Sequence, residues 1–139
     1  MLKLLNLQII NCLICTLLFG GCSQMKLIQT EDYIRIGNGG GFAGIETTYT
    51  IYKNGQLEQA GKVLAKLNPS NVDQLINNIS ILKLDQIDWN KPGNIYKFIE
   101  YNLNGKNHKL TWDSNATDID GNLNLFYNYV NHLIQKSIQ

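Results

Sequence analysis

Cysteine is scarce in this chain, and what there is lies near its start, at Cys12, Cys15 and Cys22. A domain built from the residues after Cys22 can form no internal disulfide, so packing alone must stabilise it. A long apolar run is missing too. The most apolar segment, Ile9 to Phe19, is interrupted by Asn11, and Asn6 and Gln8 stand just ahead of it. A membrane-spanning helix needs about 18 or more nearly uninterrupted apolar residues, so residues 1–21 do not read as one. Excess charge of either sign is also absent: 12 basic and 11 acidic residues leave a formal +1. That excludes the basic surface expected of a nucleic-acid binder. Catalytic spelling is lacking as well. There is no Gly-x-Ser-x-Gly elbow and no His-Glu-x-x-His, and Ser70, Ser80, Ser114 and Ser137 fall in cap, helix, loop or terminal contexts. Without a nucleophile held by a base, no catalytic residue is assigned and the chain is not read as an enzyme.

What is present begins with an export pattern. Lys3 gives a short positive start, Ile9 to Phe19 an apolar core, and Gly20-Gly21 the small residues a signal peptidase needs beside its cut. The segment Leu18-Phe19-Gly20-Gly21-Cys22 resembles the lipobox of bacterial prolipoproteins, with Phe19 standing where leucine is commoner. The resemblance implies that the Cys22 thiol is diacylglycerated, that the chain is cut just before it, and that the new amino terminus is acylated. Each buried methylene contributes about 0.8 kcal/mol and stable anchoring takes at least two such signals, so a multiply acylated Cys22 would hold the protein on a membrane effectively permanently. An ordinary secretory signal would instead leave Cys22 as a lone thiol. Residues 1–21 are therefore expected to be a signal peptide, 22–31 a tether, and 32–139 a single domain. The expected location is the bacterial cell envelope, and Ser23 after the cysteine, in place of the aspartate of inner-membrane retention, favours the outer membrane by analogy. Removing residues 1–21 from 139 leaves 118, enough for one modest core, and the loss of Lys3 brings the charge to about zero. Cys12-x-x-Cys15, a redox or metal spacing on paper, leaves with the signal.

The remainder alternates between strand and helix periods. Tyr33 and Arg35 oppose Ile34 and Ile36, a first strand that Gly37-Asn38-Gly39-Gly40-Gly41 is expected to stop. From Ile45 to Tyr52, Ile45, Thr47, Tyr49 and Ile51 oppose Glu46, Thr48, Thr50 and Tyr52, a second strand. Asn54-Gly55 predicts a type I′ hairpin turn into a third strand from Gln56 toward Val63. Ser70 and Asp73 suggest a capping box opening a helix with Val72, Leu75, Ile76 and Ile79 on one face. Pro92-Gly93 breaks an irregular stretch. Ile95 to Leu103 and His108 to Trp112 form a second hairpin about Asn104-Gly105-Lys106. Asp118 or Asp120 is placed to cap a last helix whose stripe is Leu123, Phe126, Tyr127, Val130, Leu133 and Ile134. The expected fold is α+β in the order βββαββα: an antiparallel sheet of about five strands with two helices on one face.

Four constellations bear on function. Gly39-x-Gly41-x-x-Gly44 spells a dinucleotide fingerprint, but a strand follows it and not the helix that would hold a pyrophosphate. The glycines serve better as a hairpin connection, or as a pliant loop that exposes Phe42 to a partner. Asp113-x-Asn115-x-Thr117 and Asp118-x-Asp120-Gly121 look rich in oxygen ligands, yet neither register has the glycine and glutamate of a calcium loop, so they are read as turns and caps and no metal or cofactor is assigned. His108 and His132 have no partners at ligand spacing and are read as surface residues. Glu46, Glu58 and Glu100 lie on strands, and an enzymatic reading would require a pocket gathering Glu46, Glu100 and His108.

At Gly40-Gly41-Phe42-Ala43-Gly44-Ile45 the chain resembles emfourin-type proteins, small inhibitors of thermolysin-like metallopeptidases. The likeness extends loosely over a Leu-rich helix, a hairpin with Tyr96 and His108-Lys109-Leu110-Thr111, and a closing helix. It implies an α+β inhibitor-like fold and binding of an envelope or secreted metallopeptidase, with Gly40, Gly41, Phe42, Ala43 and Gly44 as the candidate partner-binding loop. The expectation is thus a lipid-anchored envelope protein with a small binding domain. The alternative is a structural envelope lipoprotein with no discrete ligand.

Overall fold

A computed structural model describes residues 31–139. The expected signal segment, Cys22 and most of the expected tether lie outside the described residues. The domain is α+β, a seven-stranded mixed sheet with two helices packed against it. The strands are β1 (Tyr33–Gly40), β2 (Thr47–Tyr52), β3 (Gln56–Gln59), β4 (Lys62–Lys66), β5 (Asn90–Lys91), β6 (Ile95–Leu103) and β7 (Lys106–Asp113). Helix α1 (Pro69–Ile81) lies between β4 and β5, and α2 (Gly121–Ser137) closes the chain. The spatial order is β4-β3-β2-β1-β6-β7-β5, antiparallel except where β5 pairs with β7 in parallel.

Two strands separate this sheet from the five expected. The expected third strand folds back on itself at Ala60-Gly61, where both residues take positive φ (49° and 75°), giving β3 and β4. β5 is two residues long, too short to leave a periodic signal. The glycine run corrects a third expectation. It does not stop β1, which continues through Gly37, Asn38, Gly39 and Gly40 with β2 on one side and β6 on the other. The rings of Phe98 and Tyr96 lie over the two glycines that face away from the helices. A Cβ at Gly37 would meet Phe98 Cε1 at 2.7 Å, and one at Gly39 would meet the Tyr96 hydroxyl at 2.7 Å. The cross-strand aromatics supply the packing these glycines lack.

Alternation decides which face is buried. Ile34, Ile36, Ile51, Leu57, Ile99, Tyr101, Leu110 and Trp112 point to the helices, where they join Val72, Leu75 and Ile79 of α1 and Leu123, Phe126, Tyr127, Val130 and Ile134 of α2 in one core. Trp112 meets Tyr127 edge-on, with centroids 5.3 Å apart and planes at 84°. Helix caps account for the ends. α1 is capped by Asn68, not by Ser70, because Pro69 occupies the first helical position and the cap must precede it; the Asn68 side chain accepts from the Ser70 amide. Asp120 caps α2 and accepts from the Asn122 and Leu123 amides at 2.8 and 3.1 Å. The turn at Asn54-Gly55 also differs from the type I′ form. Only Gly55 has positive φ, and its amide donates to the Tyr52 carbonyl at 2.9 Å, so the connection is a three-residue loop with glycine at its left-handed position.

Candidate functional site

β1 and β2 are joined by the turn that carries Phe42. Gly44 N–H donates to the Gly41 carbonyl at 3.1 Å, closing a β-turn whose central residues are Phe42 and Ala43. Gly40, Gly41 and Gly44 have φ of 99°, 74° and 60°, a region costly to other residues. Gly40 needs glycine on a second ground, since a Cβ there would strike the Asn94 carbonyl. The Gly41 amide donates to that same carbonyl at 2.7 Å, tying the turn to the segment before β6. The space around Gly41 and Gly44 is open. The five residues Gly40, Gly41, Phe42, Ala43 and Gly44 therefore form one built projection with Phe42 at its corner.

Phe42 is fully exposed, and Ile45 and Ile95 beside the turn are 70% and 49% exposed. Ile95 stands opposite Gly40 in the β1–β6 register and Ile45 lies between the turn and β2, so apolar side chains bracket the projection from both sides. Burying a phenylalanine against a partner is worth about 1.5–3 kcal/mol, free energy that this side chain leaves unrealised in the free domain. A polar clasp fixes the base of the turn. Tyr96 donates to Glu46 Oε2 at 2.9 Å and Thr48 to Glu46 Oε1 at 3.1 Å, so both carboxylate oxygens are engaged. The Glu46 carboxylate beside it pushes the Tyr96 hydroxyl above its ordinary value.

The other candidate residues are scattered. Glu46 and Glu100 lie on the face away from the helices, whereas His108 points to the core side. There its Nε2 is 3.0 Å from the Ile87 carbonyl and its ring centroid 5.4 Å from that of Tyr101. The sheet therefore stands between His108 and the two glutamates, and the three are not brought together. His108 is half-buried, not a surface residue, because the chain through Ile87 and Trp89 folds over it. His132 is exposed on α2. Asp113 accepts from the Asn115 amide at 2.7 Å and Asp120 caps α2, so these acids serve turns and caps. Among the described residues, no three His, Cys, Asp or Glu side chains stand close enough to hold a metal ion.

Glu100 belongs to a network that sequence reasoning missed. Its Oε1 accepts from the Tyr33 hydroxyl at 2.7 Å and from Asn107 Nδ2 at 3.2 Å, and its Oε2 lies 3.5 Å from Arg35 Nη1. Partial burial opposes ionisation, but the hydrogen bonds from Tyr33 and Asn107 and the Arg35 charge outweigh it and hold the carboxyl below its usual range. The available signal was the strand parity itself: the positions facing away from the core on β1, β2 and β6 carry tyrosine, arginine and glutamate as well as small polar residues. Ile95 and the Glu46–Tyr96 clasp left no signal in the sequence, since they depend on long-range pairing. Compared with protein-family models and with curated protein sequences, the chain matches none.

Proposed function

We propose that this protein is a lipid-anchored component of the bacterial cell envelope whose domain binds a protein partner through the Gly40–Gly44 turn, in the manner of a protease inhibitor. The partner class suggested by the glycine-phenylalanine motif is an envelope or secreted metallopeptidase of the thermolysin-like kind. The observation that carries the reading is a fully exposed Phe42 at the corner of a turn shaped by three left-handed glycines. An aromatic anchor on a preorganised loop loses little conformational freedom on binding. Position also supports it. The tether joins the domain at the start of β1 and the turn follows its end, eight residues and about 25 Å away. Anchored through acyl chains on Cys22, the domain would hold the turn away from the bilayer.

The test uses acylated protein extracted from membranes. Intact mass should show loss of residues 1–21 and added acyl chains, and Cys22→Ala should release the domain on fractionation. The extracted protein should slow peptide hydrolysis by a thermolysin-like peptidase. Phe42→Ala should weaken that inhibition about 30-fold, the equivalent of roughly 2 kcal/mol for an interface anchor. Absence of inhibition, together with capture of the same envelope proteins by wild type and Phe42→Ala, would refute a role for the turn and leave a structural envelope lipoprotein as the better account.

A further inference from the structure

The sheet face away from the helices holds a second feature, at the pole where the tether joins. It is a basin of about 410 Å³ lined chiefly by Glu31, Tyr33, Arg35, Tyr52, Asn102 and Asn107. Register assembles it: Tyr33 stands opposite Tyr52 on one side and Asn102 on the other, and Asn102 opposite Asn107. Of the 12 basic residues, Arg35 is the one arginine. Its Nε donates to Thr50 Oγ1 at 3.3 Å, its Nη1 reaches Glu100 at 3.5 Å, and its guanidinium carbon is 4.8 Å from the centroid of the Tyr33 ring. A guanidinium has five N–H donors, so this one is fixed in place with donors to spare.

The carboxamides complete the inventory. Asn102 is more than nine-tenths buried, and its hydrogen bond among the described residues is a long one, Nδ2 donating to the Glu31 carbonyl at 3.5 Å. Asn107 turns its Nδ2 to Tyr33 and Glu100, which leaves its oxygen as an acceptor. The basin thus offers donors, acceptors and two phenol rings together. Charge narrows the ligand. Arg35 is matched by Glu100, Glu31 adds a further negative charge, and Glu58 accepts from the Tyr52 hydroxyl at 3.2 Å, so an anion is repelled; an ammonium group, which only donates, leaves the Arg35 and carboxamide N–H groups unanswered. A neutral molecule that both donates and accepts, and has apolar C–H faces to lie on tyrosine, answers every group in the lining.

We infer that this basin binds a neutral, hydroxyl-rich saccharide, one ring lying against Tyr52 and its polar groups shared among Arg35, Asn102 and Asn107. The site is separate from the Phe42 turn and does not depend on what the turn binds. The probe is the β-1,4-linked tetramer of N-acetylglucosamine, added to the membrane-extracted protein and followed by saturation-transfer NMR and calorimetry. The dissociation constant should be on the order of 1 mM, as befits an open basin. Tyr52→Ala and Asn107→Ala, the latter at an exposed position, should each weaken binding about 10-fold, and Phe42→Ala should leave it unchanged. A tetramer of galacturonic acid should bind more weakly than the neutral one. The inference is overturned if the neutral tetramer shows no transfer, if the anionic tetramer binds as well or better, or if Asn107→Ala binds like wild type.

Discussion

Gly37→Ala is the most direct test of how the sheet is built. Gly37 sits in the central strand β1, buried, with β2 and β6 on either side. A methyl group there would meet Phe98 Cε1 and Cζ at 2.7 and 2.8 Å and the Thr47 carbonyl closer still. The ring can yield only by rising toward Lys109, whose Nζ already lies 4.7 Å from its centroid. The carbonyl can yield only by disturbing the β1–β2 ladder, where Thr47 pairs with Asn38. Overpacking of this kind costs about 1–3 kcal/mol. Removing a glycine from a strand returns about 0.5–1 kcal/mol through the unfolded chain. Taken at mid-range, destabilisation therefore wins, by roughly 1 kcal/mol. For a domain of this size that lowers Tm by about 4–8 °C.

The measurement is urea unfolding followed by tryptophan fluorescence, with Trp112 buried in the core as the reporter. The midpoint should fall at constant slope. Phe98→Ala alone should cost about 3 kcal/mol, since a fully buried ring is lost. The double variant should cost less than the two together by about 0.5–1.5 kcal/mol, because one of the two clashes at position 37 has gone. Additive single effects, or a Gly37→Ala variant as stable as wild type, would refute the packing of ring on glycine.

Three further outcomes follow from single features. Asp120→Ala should cost about 1 kcal/mol in the same unfolding experiment, since it strips two amides of their acceptor at the start of α2. Tyr101, pushed up to about 12 mainly by burial and secondarily by Asp85, stays neutral in the fold while its unfolded counterpart ionises near pH 10. Stability should hold below pH 10 and fall from there to about pH 12, and Tyr101→Phe should flatten that fall by about 2 kcal/mol in unfolding at stepped alkaline pH. The outer strand β4 carries Lys62 and Lys66 at its ends and a bulge between, devices that discourage edge pairing; changing both lysines to valine should produce larger species by light scattering.

Legibility in the sequence divided along physical lines. Both helices, their core faces and the β6–β7 hairpin were readable because local periodicity and caps determine them. Asn68 was readable too, had Pro69 been given its weight as a first-turn residue. The extension of β1 was not. Glycine has poor strand propensity, and what holds Gly37 and Gly39 in place is Phe98 and Tyr96, about sixty residues further on. The split of the third strand hides behind Ala60, a residue that seldom takes a left-handed turn. Of the candidate site, the five residues of the turn were nameable, but not the neighbours that frame it. Ile95 and the Glu46–Tyr96 clasp come together only once β1 runs to Gly40.

Two phenylalanines, one in the sheet and one in the turn beside it, make the functional argument sharper. Phe98 is wholly buried against Gly37, and Phe42 is wholly exposed at the end of the next strand connection. If the Phe42 ring served the fold, some contact would reward it, but the turn is held by backbone hydrogen bonds from Gly41 and Gly44 and by the clasp on Glu46. None of these involves its ring. Phe42→Ala should therefore change unfolding free energy by less than about 0.5 kcal/mol. Gly44→Ala, which forces an alanine to φ near 60°, should cost about 1–2 kcal/mol. A stability loss at Phe42 as large as that at Gly44 would make the ring a structural element of the turn and remove the ground for assigning it to a partner.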